Sequence, residues 1–230
     1  MRIARPLRCA ALLVWALANC ALAQVAPGAN EIAAYTGLFT AAASGNAPEI
    51  DRLVAGGADV NAREAYGRTP LHVATFGRHR DAIAALAKAR ADLNLQERDR
   101  YDAVTIAAVA DDVATLKLLL QLGASAKQIT SRYDGTALIA AAHLGHDAVV
   151  KLLIDAGAPL DHVNNLGWTA LIESIVLGQG GPRHVTTLTA LVRAGANVNL
   201  ADRTGQTPLQ LARQRRYQAM VAILEQAGAK

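Results

Sequence analysis

Cysteine is nearly missing from this chain: Cys9 and Cys20 are its two cysteines, both near the N-terminus. Everything after Cys20 is therefore without a disulfide, a thiolate nucleophile or a cysteine metal ligand. Long apolar runs are also lacking. The longest, from about Cys9 to Ala18, is too short to span a membrane. No serine nucleophile motif, phosphate-binding glycine loop or paired acid in a recognisable context occurs, so nothing points to an enzyme. Aromatic residues make up only 4% of the chain, and the places where they fall carry information for that reason.

What stands at the N-terminus reads as a segment to be removed. Arg2, Arg5 and Arg8 precede the apolar run, and Ala21-Leu22-Ala23 forms a small-residue site before Gln24, the pattern of a secretory signal peptide over residues 1–23. A lipoprotein signal through Cys20 is the weaker alternative, because Asn19 stands where such signals usually carry a small residue. Taking Arg2, Arg5 and Arg8 from the 23 basic residues leaves 20 against 19 acidic ones. The processed chain is close to neutral, which argues against nucleic acid as a partner. A neutral, cysteine-free chain behind a short Arg-rich signal suits the periplasm of a two-membrane bacterium, or secretion.

The body of the chain is periodic. Thr36, Thr69, Asp102, Thr136, Thr169 and Thr207 recur at spacings of 33, 33, 34, 33 and 38 residues. Gly57, Arg90, Gly123, Gly157, Gly195 and Gly228 run in step with them. The single extra residue falls between Gly123 and Thr136, and the extra five fall between Thr169 and Gly195, where Gly178-Gln179-Gly180-Gly181-Pro182-Arg183-His184 is rich in turn formers. In one unit Thr136 opens a short helical run, Thr136 to Ala142, which Gly145 ends. Ala148 to Ile154 forms a second apolar-striped helix that Gly157 stops. Neither helix is long enough to stand alone in water, so stacking on neighbours must stabilise both.

Gly67-Arg68-Thr69-Pro70-Leu71-His72-Val73-Ala74, Gly205-Gln206-Thr207-Pro208-Leu209, Gly57-Ala58-Asp59-Val60-Asn61 and Gly195-Ala196-Asn197-Val198-Asn199 resemble the ankyrin repeat consensus. The resemblance covers roughly residues 31–230. It implies an all-α solenoid of about six helix-turn-helix units joined by short β-turn fingers. After a leader over 24–30, the units run approximately 31–63, 64–96, 97–130, 131–163, 164–201 and 202–230. Arg78 and Arg90 stand where the family usually has glycine, so distorted helix ends are expected there. The insertion and Asn164-Asn165-Leu166-Gly167-Trp168 are similar to a subgroup of secreted bacterial ankyrin proteins.

In that family partners are held by turn residues beside each anchor and by positions late in the first helix. Carried onto this chain, the turn positions are Tyr66, Arg68, Arg98, Tyr101, Arg132, Tyr133, Asn165, Trp168, Arg203 and Gln206. The late-helix positions are Phe76, Val109, His143, Val176 and Arg215. Five aromatics fall in these rows, and Tyr, Trp and Arg are the residues that dominate binding hot spots. Arg183 and His184 join the list if the insertion displays them on a rigid turn; otherwise it is a tolerated loop extension.

The expected function is thus a non-enzymatic, monomeric protein-binding module without cofactor, whose one partner is a protein. An immunity or inhibitor protein against an envelope toxin or hydrolase is the alternative. A metal protein using His143, His146 and His184 is third, since Gly145 interrupts any helix that would align the first two. The motif histidine, His72, is expected to hydrogen-bond the neighbouring turn.

Overall fold

The structure, a computed structural model, describes residues 24–230. The expected signal segment, residues 1–23, lies outside the described residues. Among the described residues there are thirteen α-helices and no sheet, with one antiparallel bridge between Thr130 and Gly135. A first helix, α1 (Ala29–Ala34), precedes six helix pairs. These are α2 (Gly37–Ser44) with α3 (Ala47–Ala55), α4 (Pro70–Phe76) with α5 (Arg80–Lys88), and α6 (Ala103–Val109) with α7 (Val113–Gln121). There follow α8 (Ala137–Leu144) with α9 (Asp147–Asp155), α10 (Ala170–Val176) with α11 (Pro182–Arg193), and α12 (Pro208–Gln214) with α13 (Gln218–Gln226).

The first helices of successive pairs pack on one another from α2 to α12, and the second helices do the same from α3 to α13. Two layers result, and the core runs continuously between them. On the first-helix side it is built from small residues such as Ala42, Ala74, Ala108 and Ala142, which let adjacent helices approach closely. On the other side Ile50, Ile83, Leu86, Leu116, Val149, Leu153, Leu191 and Leu224 fill the space beneath.

The periodic anchors start the first helices. The side-chain oxygens of Thr69, Asp102, Thr136, Thr169 and Thr207 each accept a backbone N–H three residues on, which satisfies one otherwise unpaired amide per helix and contributes about 1 kcal/mol each. Thr36, in the first unit, makes no such bond.

The helix ends differ from expectation. Arg78, Arg90 and Asp111 adopt positive φ of 57°, 64° and 53°, beside 72° at Gly45 and 69° at Gly145. The closing bonds are also kept: Arg78 N–H to the Thr75 carbonyl and His79 N–H to that of Ala74 match the pair made by Gly45 and Asn46. The stack therefore imposes the glycine-like conformation on arginine, and the helix ends are strained in dihedral but regular in shape.

The insertion is likewise corrected. It does not sit wholly between two helices. α10 and α11 are separated by residues 177–181, where α4 and α5 are separated by 77–79, while α11 runs for 12 residues against 9 in α5. Two of the five extra residues therefore lengthen the loop, and three extend the helix at its start, with Pro182 at the first helical position, where its fixed φ and missing N–H fit. The leader is corrected too. α1 already begins at Ala29, and the Val25 carbonyl and Glu31 carboxylate are both bound by Arg68.

Candidate interaction face

Between units the chain folds into fingers of one design. In each, a backbone N–H closes on a carbonyl four residues later: Glu64 to Arg68, Glu97 to Tyr101, Asn164 to Trp168, Asp202 to Gln206. The same leading residue turns its side chain inward and accepts the N–H groups two and four residues on, as Glu64 Oε1 does from Tyr66 and Arg68, and Asn164 Oδ1 from Leu166 and Trp168. The third spacing's extra residue appears here. The corresponding closure is Thr130 to Gly135, one residue wider. Neighbouring fingers are tied by Arg98 N–H to the Tyr66 carbonyl and Asn165 N–H to that of Tyr133.

This frame decides which expected residues are available to a partner. Tyr66 is 48% exposed, with the guanidinium carbons of Arg68 and Arg98 at 4.7 and 5.8 Å from its ring centroid. Arg98, Arg132, Asn165 and Arg203 are exposed along the same fingers. Phe76, Val109, Tyr133, His143, Trp168, Gln206 and Arg215 are half-buried, and Val176 is buried. Trp168 packs against the core.

Burial overturns two expectations, Arg68 and Tyr101, and two further residues, Arg183 and His184, are bonded within the stack. Arg68 is only 2% exposed, and its guanidinium is consumed by Glu64, Glu31 and the Val25 carbonyl. It fastens α1 to the second unit instead of meeting a partner. Tyr101 is 6% exposed, and burial pushes its hydroxyl up to about 12. The ring forms a wall and presents no exposed tip. Arg183 reaches back over two units, its Nε to Asp147 at 2.9 Å and its Nη2 to Asp111 at 2.8 Å. The His184 ring binds the His143 carbonyl at 2.9 Å.

That last contact belongs to a series. His79 binds the Ala43 carbonyl, His146 that of Ala108, and the Tyr217 hydroxyl donates to Gly178. At the start of each of these second helices a ring therefore ties to the end of the preceding unit's first helix. The insertion leaves His184 in register with the others. The His146 and His184 rings are committed within the stack and the His143 ring faces Glu173, and among the described residues no group of three or more His, Cys, Asp or Glu is placed to hold a metal ion. His72 behaves as the resemblance implies: its Nε2 lies 3.2 Å from the Tyr101 carbonyl in the next finger.

Between the third and fifth units the fingers and first helices enclose a cleft of about 600 Å³, open mouth included. Val109, Ile139 and Leu177 line it with Tyr101 and Tyr133, and on one side stands a buried polar group that the sequence reading passed over. Glu173, in α10, has a side chain 5% exposed. Its Oε1 accepts from Asn164 Nδ2 at 2.9 Å, and its Oε2 lies 3.3 Å from His143 Nδ1. The signal was available: Val73, Ile106 and Ala140 hold this place in the second, third and fourth units, so Glu173 is a charge within an apolar stripe.

The family model for ankyrin repeats (3 copies) matches residues 8–97 and 104–199. The chain belongs to the ankyrin repeat family. As an ankyrin repeat protein it carries a protein–protein interaction scaffold. It is 32% identical to the Escherichia coli K12 ankyrin repeat protein YahD over 190 residues, 82% of this chain and 94% of that one. Among solved structures, an ankyrin repeat domain from Acinetobacter baumannii AYE superimposes with a TM-score of 0.80 at 41% identity, over 84% of this chain and 98% of that one. A chain of the complex between a predatory endopeptidase and an immunity protein of Bdellovibrio bacteriovorus matches with a TM-score of 0.65 at 25% identity, over 84% of this chain and 98% of that one. Among the described residues of this ankyrin repeat protein, no helix is long and apolar enough to cross a membrane.

Proposed function

We propose that this ankyrin repeat protein is a non-enzymatic binding module of the bacterial periplasm or cell envelope, holding one protein partner on the finger and first-helix face. The observation that carries the reading is the row of exposed Tyr66, Arg98, Arg132 and Asn165 on successive fingers, beside the cleft of the third to fifth units. Each of these side chains stands on backbone already fixed by hydrogen bonds, so little ordering cost is left for binding. The arginine-rich segment, apolar run and Ala21-Leu22-Ala23 site support the compartment.

Affinity capture from an envelope extract tests this. The wild type is expected to retain one protein that an Arg98→Ala, Arg132→Ala double variant loses, with helical content unchanged because both side chains are exposed. Equal retention by the two would remove the finger row from the site. Fractionation and N-terminal sequencing of the processed protein test the compartment, with Gln24 expected as the first residue; a soluble cytoplasmic chain that keeps Met1 would refute it.

A second reading, an immunity protein that neutralises an envelope toxin or hydrolase, is favoured by the likeness to a chain of the Bdellovibrio complex. The two differ in outcome. An immunity protein inhibits the enzyme it captures, whereas a scaffold leaves the captured protein's activity unchanged.

A further inference from the structure

The cleft of the third to fifth units is more than a gap between fingers. A carboxylate inside an apolar helix carries a desolvation penalty of several kcal/mol unless donors surround it. Glu173 is not fully surrounded. Oε1 has the Asn164 amide, but no protein group hydrogen-bonds to Oε2, because His143 Nδ1, 3.3 Å away, lies outside hydrogen-bond geometry. Nor can Asn164 turn to help: its Oδ1 is fixed by the Leu166 and Trp168 N–H groups, which leaves its amide a single direction.

The fold thus leaves one buried acceptor without a hydrogen-bond donor, beside a cleft whose walls are largely apolar groups and tyrosine rings with the Thr105, Thr130, Ser131 and Thr136 side chains among them. Apart from Glu173, the ionisable side chains lining it are His143, Tyr101 and Tyr133. Glu173 is the one acidic group lining the cleft. An anionic ligand would be set against its carboxylate, and a purely apolar one would leave Oε2 without a donor. A cationic head on an apolar stem matches both the charge and the walls.

We infer that this cleft seats a lysine or arginine side chain of the protein partner, with the cation against Glu173 and the stem along Val109, Ile139 and Leu177. The inference rests on the reading of this face as a protein-binding surface, and it adds the chemistry of the partner's anchor. Glu173 is the specificity-determining residue, and Asn164 positions it.

The test uses the purified protein and two small probes, followed by methyl and amide NMR. N-acetyl-lysine methylamide is expected to bind with a dissociation constant of roughly 1 mM, the scale set by ligand efficiency for so few atoms. N-acetyl-norleucine methylamide, which has the stem without the charge, should bind roughly tenfold more weakly. Shift changes should centre on Val109, Ile139 and Leu177. Glu173→Gln is expected to erase the preference for the lysine probe, and Ala140→Phe, which keeps the charge while filling the cleft, should weaken both probes.

Equal affinity for the two probes, a preference that survives Glu173→Gln, or no shifts at all would overturn the inference. Should Glu173→Gln fail to fold, undiminished lysine binding by Ala140→Phe would overturn it instead. Free n-butylamine binding more tightly than the lysine probe would overturn the side-chain assignment in favour of a small amine. Failure of the probes with partner capture intact would remove the basic-group seat alone. Probe binding as expected, with capture insensitive to Arg98 and Arg132, would leave the seat standing and remove the finger row.

Discussion

At His72 the surroundings select one protonation state. The Thr69 N–H donates to Nδ1 at 3.0 Å, so Nε2 carries the hydrogen and donates to the Tyr101 carbonyl. Burial opposes a second proton and lowers the ring from 6.5 to about 4. The sign follows from linkage. The unfolded chain protonates this residue first, so its contribution is complete above pH 6.5, declines as pH falls, and is gone below about 4. Urea denaturation should lose about 1.4 kcal/mol per pH unit across that window from His72, and His72→Gln should flatten the profile; identical slopes would show that other groups dominate. Arg90 offers the opposite case, since its positive φ of 64° stresses a residue with a Cβ. Arg90→Gly is expected to stabilise the protein by about 0.5–1 kcal/mol, because relief of left-handed strain exceeds the entropy cost of glycine. A lower urea midpoint would contradict that.

Among the elements, α1 is held from outside by the Arg68 side chain. Arg68 joins Glu31, the Val25 carbonyl and Glu64, and α1 has no buried residue of its own. Arg68→Ala should therefore cost about 3 kcal/mol, the scale for removing one partner of a buried ion pair, and residues 25–35 should lose hydrogen-exchange protection ahead of the rest. Unchanged protection would mean that α1 docks by other means. This element also marks how far the sequence could be read. The helix pairs and the Thr and Asp caps were legible because a 33-residue period repeats the same chemistry in each unit. α1 was not, because it occurs once and is held by a residue 37 positions away. The burial of Arg68 and Tyr101 and the contacts of Arg183 and His184 were not legible, because the type of residue is visible in sequence while the packing and most of the groups that meet it are set by neighbouring units. Glu173 is legible in the sequence as a charge that breaks the apolar pattern of its helix position.

For the whole molecule, a core that is continuous but only one unit deep at any point spreads damage to neighbours. Leu138 is fully buried in α8, so Leu138→Ala is expected to cost 2–5 kcal/mol, on the order found for leucine truncation in cores, and to lower protection in the third and fifth units as well as its own. Protection lost in the fourth unit alone would indicate independent units. Helix packing joins each unit to those beside it, while Arg183 ties the fifth unit to Asp111 of the third and Asp147 of the fourth. That arrangement has a mechanical consequence. Pulled from its two ends, the chain should peel from the extremities inward, each unit paying out about 120 Å of contour, the reach of some 33 extended residues. The three central units, riveted by one arginine, should give way together in a longer step that Arg183→Ala divides.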